Sequence, residues 1–132
     1  MTKIILTTLF CIAINFSFAQ TQGELNQNAQ KKYKKAETEI NSVYQQILKE
    51  YSSDQVFIKN LKIAQRLWIQ FRDAEMKAKF PDREAGYYGS AQPMCWSMYL
   101  TELTEERIKK LKVWLTGIEE GDICSGSVKM KS

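Results

Sequence analysis

The sequence predicts an all-α fold: a small antiparallel three-helix bundle with one long loop and a disulfide-pinned C-terminal tail. Three stretches repeat apolar residues at three- and four-residue steps, which is the spacing of one helix face. Turn and helix-stop residues bound these stretches, and no segment alternates at period two for long enough to indicate a strand. The short break at Ser52 and Ser53 favours an antiparallel hairpin of the first two helices.

Residues 1–19 have the features of a secretory signal peptide. Lys3 supplies a basic start, a mostly apolar run follows it, and Ser17 and Ala19 place small residues where signal peptidase reads them. The apolar run is short for a bilayer, so a retained membrane anchor is the weaker alternative. We therefore expect cleavage after Ala19 and an exported protein, either periplasmic or secreted.

Lipidation is a further alternative for this leader, because Cys11 lies in the apolar run. It is disfavoured because the bulky Phe10 precedes the cysteine. Cleavage after Ala19 would leave a mature chain of one domain, residues 20–132, with no transmembrane helix.

We expect helices at about residues 24–51, 54–79 and 93–116, followed by a tail over 117–132. Pro81 stops the second helix. The buried stripe of the first helix follows the three- and four-residue rule, and comprises Leu25, Ala29, Tyr33, Ala36, Ile40, Val43 or Tyr44, Ile47 and Tyr51. By the same rule the second helix buries Phe57, Leu61, Ala64, Trp68, Phe71 and Ala78.

Composition excludes several classes of function. The formal net charge is +4, and Lys3 is the only charged residue of the leader, so the mature chain carries +3. That charge is too small and too dispersed to predict nucleic-acid binding. The chain has no histidine, which removes the usual nucleophile–base pairs and most zinc sites. We predict no enzyme, no catalytic residue, no metal and no cofactor.

The mature chain keeps two cysteines, Cys95 and Cys124. An even number of cysteines in an exported protein favours a disulfide. This bridge would close a loop of about 30 residues and contribute roughly 3–4 kcal/mol in the chain-entropy model. A free reactive thiol is the competing interpretation.

Arg107 is the sharpest anomaly, because it lies on the apolar stripe of the third helix between Leu103 and Leu111. A buried guanidinium must be paired and hydrogen-bonded. Arg72 poses the same question and could stack on Trp68, four residues earlier. We expect an internal network that fixes helix register, with a ligand-binding cluster as the alternative. The candidate acidic partners are Asp73, Glu75, Glu37 and Glu39.

The loop over residues 80–92 is the better candidate for recognition. Two glycines bracket Tyr87 and Tyr88, which indicates a defined backbone path. Tyrosines are enriched at protein interfaces, and Arg83 and Glu84 could add polar contacts. The alternative is that both tyrosines fold back and cap the bundle.

Several motifs together resemble the LprI-like lysozyme-inhibitor family of small secreted bacterial proteins. Residues 64–75 carry A-Q-x-x-W-x-x-F-R-D-A, and residues 37–44 are similar to D-x-x-L-N-x-x-Y. Tyr-Gly-Ser at 88–90, Cys95 and L-T-E-E-R at 103–107 follow in the same order. The resemblance covers nearly the whole chain after the leader.

The resemblance implies a helical protein that inhibits lysozyme by occluding its cleft, and we expect the tyrosine loop to be the inserting element. It also implies that the shared polar positions form a structural framework. The alternative is a structural or envelope-associated module that binds another protein or a small ligand without inhibiting lysozyme. The framework residues are Gln65, Trp68, Arg72, Asp73, Arg107, Glu37 and Tyr44.

The chain departs from this family in its cysteines. Many similar proteins carry a cysteine where Met76 stands, and it would pair with the counterpart of Cys95. Here Cys124 lies in a C-terminal extension instead. The expected disulfide therefore ties the third helix to the tail.

Overall fold

The computed structural model describes the backbone of residues 2–131 and the side chains of residues 21–131. Three helices follow one another: α1 over Thr2–Glu50, α2 over Gln55–Lys79 and α3 over Gln92–Thr116. Apart from one isolated parallel bridge near the C-terminus, the described backbone contains no strand pairing. The all-α prediction is confirmed.

The expected signal peptide, residues 1–19, lies outside the residues whose side chains are described. The helix expected from about residue 24 belongs to a longer one that begins at Thr2. Within the described part of the chain, no helix combines the length and apolar character needed to cross a membrane.

Local chemistry explains where the helices end. Asp54 caps α2, because its Oδ1 accepts a hydrogen bond from the Phe57 backbone N–H at 2.9 Å. The last turn of α2 closes where the Phe80 N–H donates to the Met76 carbonyl at 2.8 Å, and Pro81 then prevents continuation. These residues define the boundaries of α2 by hydrogen bonding and by the missing proline N–H.

Gly117 ends α3 in a backbone conformation that other residues rarely adopt. Its φ is +76°, and its N–H donates to the Val113 carbonyl at 2.9 Å. A Cβ at this position would lie 2.9 Å from the Lys129 carbonyl oxygen, so the approach of the tail also requires glycine.

The closest helix pair is α1 against α3. Small side chains at Ala29, Ala36 and Thr104 lie in this seam and allow close approach. Ile47 and Leu111 are fully buried in it. Thr104 is also fully buried, and its hydroxyl donates to the Leu100 carbonyl at 2.7 Å, which satisfies the polar group within its own helix.

The buried face of α2 differs from the predicted stripe. Phe57 and Leu61 are buried as expected, but Ala64, Phe71 and Ala78 are exposed. The residues buried instead are Ile58, Gln65 and Met76. Both faces of α2 carry apolar residues at helical spacing, and periodicity does not say which one meets the other helices.

Contacts between α2 and α3 run in opposite chain order. Gln65 meets Arg107 near the middle of both helices, and Glu75, later in α2, meets Tyr99, earlier in α3. Residue numbers therefore rise along α2 as they fall along α3.

The tail after α3 folds back onto one end of the molecule, around Tyr51. The Tyr51 hydroxyl donates to the Trp114 carbonyl at 2.8 Å and accepts from the Lys129 N–H at 3.1 Å. Its ring packs on Phe57 with centroids 4.8 Å apart. The Trp114 indole N–H donates to the Ser127 hydroxyl at 3.0 Å, so hydrogen bonds and aromatic packing hold the tail.

The predicted Cys95–Cys124 disulfide is wrong. Both thiols are free and exposed. Cys95 lies in the first turn of α3, whereas the tail that carries Cys124 is held at the other end of that helix. About 30 Å of helix separates the two ends, whereas bridged cysteines have Cα atoms within roughly 7 Å.

We expect Leu111→Ala to lower the free energy of unfolding by about 2–5 kcal/mol, because the leucine is fully buried in the α1–α3 seam. Leu67→Ala is the matched control: Leu67 is 57% exposed on α2 and should cost about 0.5 kcal/mol or less. Urea unfolding followed by circular dichroism measures both. Equal losses would contradict the assignment of the core.

Candidate functional site

The residues expected to form one polar network lie in separate contacts. Gln65 is buried, and its Oε1 accepts a hydrogen bond from the Arg107 Nε at 3.1 Å. Burial lowers the pKa of the half-buried Arg107 guanidinium from its ordinary value. Among the described residues, no carboxylate forms an ion pair with Arg107. The expected pairing was therefore wrong for Asp73, Glu75, Glu37 and Glu39.

Arg72 forms a second contact on α2. Its Cζ lies 5.4 Å from the centroid of the Trp68 ring, the geometry that their four-residue spacing allows. Its Nη2 lies 2.8 Å from the Asp73 Oδ1. The Arg72 side chain is largely buried and that of Asp73 is exposed, so this pair lies at the edge of the core.

Glu37 belongs to a third contact, which sequence reasoning missed. The Tyr33 hydroxyl donates to the Glu37 Oε1 at 2.6 Å. The pKa of Tyr33 is raised to about 12, chiefly by burial and secondly by this hydrogen bond, while the positive charge of Arg72 acts to lower it. The four-residue spacing of Tyr33 and Glu37 was the available signal.

Tyr44, the last expected member, stands apart. Its hydroxyl makes no hydrogen bond within the described part of the chain. Burial raises the pKa of Tyr44, and the charge of Arg66 opposes that rise. Of these contacts, the Gln65–Arg107 hydrogen bond joins two helices, whereas the Tyr33–Glu37 and Arg72–Asp73 contacts each lie within one helix.

An aromatic cluster braces the base of the tyrosine loop. The Phe80 ring packs against Trp96, Tyr88 and Tyr99, with centroids 5.6, 5.8 and 6.5 Å away. The Tyr99 hydroxyl donates to the Glu75 Oε1 at 3.0 Å, and this hydrogen bond raises the pKa of Tyr99. The loop therefore leaves α2 from a packed aromatic platform.

The two loop tyrosines have different environments. Tyr88 folds back: it is half-buried, and its hydroxyl donates to the Pro81 carbonyl at 2.7 Å. Tyr87 projects outward and is 61% exposed, with its ring edge-on to Tyr88 at 4.9 Å. The Arg83 Cζ lies 5.8 Å from the centroid of the Tyr87 ring. One tyrosine caps the bundle while the other is presented to solvent.

The loop backbone is held at both sides of Tyr87. The Tyr87 N–H donates to the Glu84 carbonyl at 3.2 Å, and Gly86 and Gly89 have φ angles of +83° and +71°. The Asn26 side chain of α1 donates to the Ser90 carbonyl at 3.1 Å. A shallow hollow of about 600 Å³ lies on the outer side of the loop, and is lined by Asp82, Arg83, Glu84 and Tyr87.

Among the described residues, no three histidine, cysteine, aspartate or glutamate side chains converge in an arrangement that could hold a metal. The geometry defines a small helical protein that presents an exposed tyrosine on a braced loop. The chain belongs to the lysozyme inhibitor LprI family, whose model matches residues 16–111. The match stops short of the tail that carries Cys124.

The chain is also similar to an uncharacterized protein of Rhizobium meliloti strain 1021. The two are 34% identical over 113 residues, which cover 76% of this chain and 78% of that protein. No solved structure matches the chain. The family is one of inhibitors rather than of enzymes.

We expect Gln65→Ala to lower the free energy of unfolding by about 1–3 kcal/mol, because it leaves the half-buried Arg107 guanidinium without its acceptor. The same change should cost less in an Arg107→Met background, and a double-mutant cycle by urea unfolding measures the difference. Gln70→Ala, at an exposed position of α2, is the control. An equal cost of Gln65→Ala in both backgrounds would show that the hydrogen bond contributes nothing.

Tyr33 should make stability depend on pH in the alkaline range. Its pKa is about 12 in the folded chain against 10.0 ordinarily, so the folded state holds this proton more tightly. That contribution is fully present below pH 10 and is lost as the pH rises toward 12. We expect the stability advantage over Tyr33→Phe to shrink across this range in urea unfolding.

Absorbance at the phenolate band gives an independent reading of the same group. The difference between the titrations of the parent chain and Tyr33→Phe should have its midpoint near pH 12. A midpoint near pH 10 would contradict the burial and hydrogen bonding assigned to Tyr33.

Proposed function

We propose that this chain is an exported protein-binding module that inhibits a lysozyme by occluding its substrate cleft with the loop over residues 80–92. Family membership supports inhibition as the activity. The observation that carries the proposal is Tyr87, a large amphipathic side chain held outward on a braced loop. Export follows from the proposed removal of residues 1–19.

The loop fits insertion because its conformation is fixed before a partner arrives. Phe80 and Tyr88 pack at its base, and the Tyr88 hydroxyl ties it to Pro81. A pre-organised loop loses little conformational entropy on binding, which leaves more of the contact energy for affinity. Arg83 beside Tyr87 adds a charged group at the tip.

Charge raises a physical objection, because many lysozymes are basic and the mature chain is mildly basic too. The open groove beside Phe80, of about 930 Å³, does not remove this objection. Glu102, Glu105 and Glu106 line it, but so do Lys32, Lys79 and Lys109, and the two sets of charges balance. Recognition would therefore rest on the contacts of the exposed Tyr87 rather than on charge attraction.

Cell-wall lysis tests the proposal. The purified chain would be titrated into several lysozyme types, with lysis followed by turbidity. We expect a saturable, near-stoichiometric loss of lysis with at least one type, and displacement of the inhibitor by a short cell-wall glycan, because both occupy the cleft. No effect on any type would contradict inhibition. Displacement is read from binding, by fluorescence anisotropy of the labelled chain, because the glycan itself blocks lysis. A complex that the glycan does not displace would contradict cleft occlusion.

Tyr87→Ala should weaken inhibition by about thirty-fold, because exposed aromatic anchors of interfaces typically contribute about 2 kcal/mol or more. The bundle should remain folded by circular dichroism, because Tyr87 lies outside the core. Phe71→Ala is the control, since Phe71 is a similarly exposed aromatic residue on α2. If Phe71→Ala weakens inhibition and Tyr87→Ala does not, the contact surface lies on α2 and the loop assignment fails.

A further inference from the structure

The outer face of α2 carries an exposed apolar stripe that the core does not use. Val56, Ile63, Leu67 and Phe71 are 74%, 44%, 57% and 56% exposed. At 3.6 residues per turn they fall within about 80° of the helix circumference, on the side away from buried Leu61. The exposed Ala64, Ala74 and Ala78 lie on or beside the same stripe. Asn60 is the one polar residue of α2 within this arc, and a largely apolar surface of this kind indicates a contact surface.

One flank of the stripe is basic. The same helical geometry places Lys59, Lys62, Arg66 and Lys77 together along it, and all four are exposed. None of the four forms an ion pair with a described residue. The acidic residue on this flank, Asp73, is held by Arg72, so the flank presents uncompensated positive charge.

We propose that the outer face of α2 is a docking surface for an anionic lipid bilayer, on which the folded protein lies with this helix against the headgroups. Apolar side chains backed by lysine and arginine are the pattern of helices that lie in the membrane interface. The lysine stems can follow the apolar surface while their ammonium groups reach phosphate. This inference does not depend on lysozyme inhibition.

The charge pattern favours a bilayer over an antiparallel pairing of α2 with a second copy of the chain. In a twofold-symmetric antiparallel pair of α2 helices, the basic flank of each copy would face the basic flank of the other. Like charges at that contact repel, whereas an anionic headgroup layer neutralises the whole flank at once. The surface therefore matches an anionic lipid in both polarity and charge.

Co-sedimentation with lipid vesicles tests the proposal. The protein is purified from the cells that express it, and mass spectrometry determines its N-terminus. We expect binding to phosphatidylglycerol vesicles and at least ten-fold weaker binding to phosphatidylcholine vesicles. Leu67→Ser with Phe71→Ser should weaken phosphatidylglycerol binding at least ten-fold, because both side chains would enter the interface. The exposed pair Met98 and Ile123, changed to Ser, is the apolar control and should leave binding unchanged.

Charge is tested separately from apolar contact. Lys59→Gln with Lys77→Gln should weaken binding by roughly thirty-fold, since each cation near an anionic surface contributes about five-fold. Lys31→Gln with Lys34→Gln on α1 removes the same charge away from the stripe and should cost less than about three-fold.

Three results would overturn the proposal. The first is absence of binding to phosphatidylglycerol vesicles. The second is vesicle binding that the α2 variants do not weaken, which is the result that a retained apolar leader would give. The third is self-association of the parent chain in the absence of vesicles. If Leu67→Ser with Phe71→Ser abolishes that self-association, the stripe is a contact with a second copy of the chain. Sedimentation velocity distinguishes this last outcome.

Discussion

The close packing of α1 against α3 is the constraint on which the rest of the structure depends. Ile47 and Leu111 fill this seam, and Thr104 is buried in it with its hydroxyl satisfied inside its own helix. The two backbones approach closely because alanines line the contact. With this pair fixed, α2 can cover it with only one face, and its opposite face remains exposed to solvent.

The α1–α3 seam runs between the two ends of the molecule, and a different set of contacts closes each end. At one end, Tyr51 joins the helix ends and the returning tail through two hydrogen bonds and a ring contact. At the other, Phe80 gathers the aromatic platform beneath the tyrosine loop. Among the described residues, Cys95 and Cys124 are free thiols. Both exposed surfaces, the loop and the outer face of α2, are carried on packed elements.

Sequence reasoning succeeded where one physical rule decided the outcome. The α1 stripe through Ala29, Ala36 and Ile40 is buried as its periodicity predicts, and the α2 boundaries follow from an aspartate cap and a proline. It failed where several outcomes satisfy the same rule. Two faces of α2 are apolar, Arg107 could meet an amide as well as a carboxylate, and two cysteines can be too far apart to pair. Only the packed arrangement decides these cases.

The tyrosine loop is the proposed contact with lysozyme, and hydrogen–deuterium exchange tests this contact most directly. Exchange of the chain alone would be compared with exchange in the presence of saturating amounts of each lysozyme type. We predict that one type slows exchange of the amides at 82–90 while the outer face of α2 is unchanged. Slowed exchange elsewhere with an unchanged loop, or no change with any lysozyme, would contradict the account.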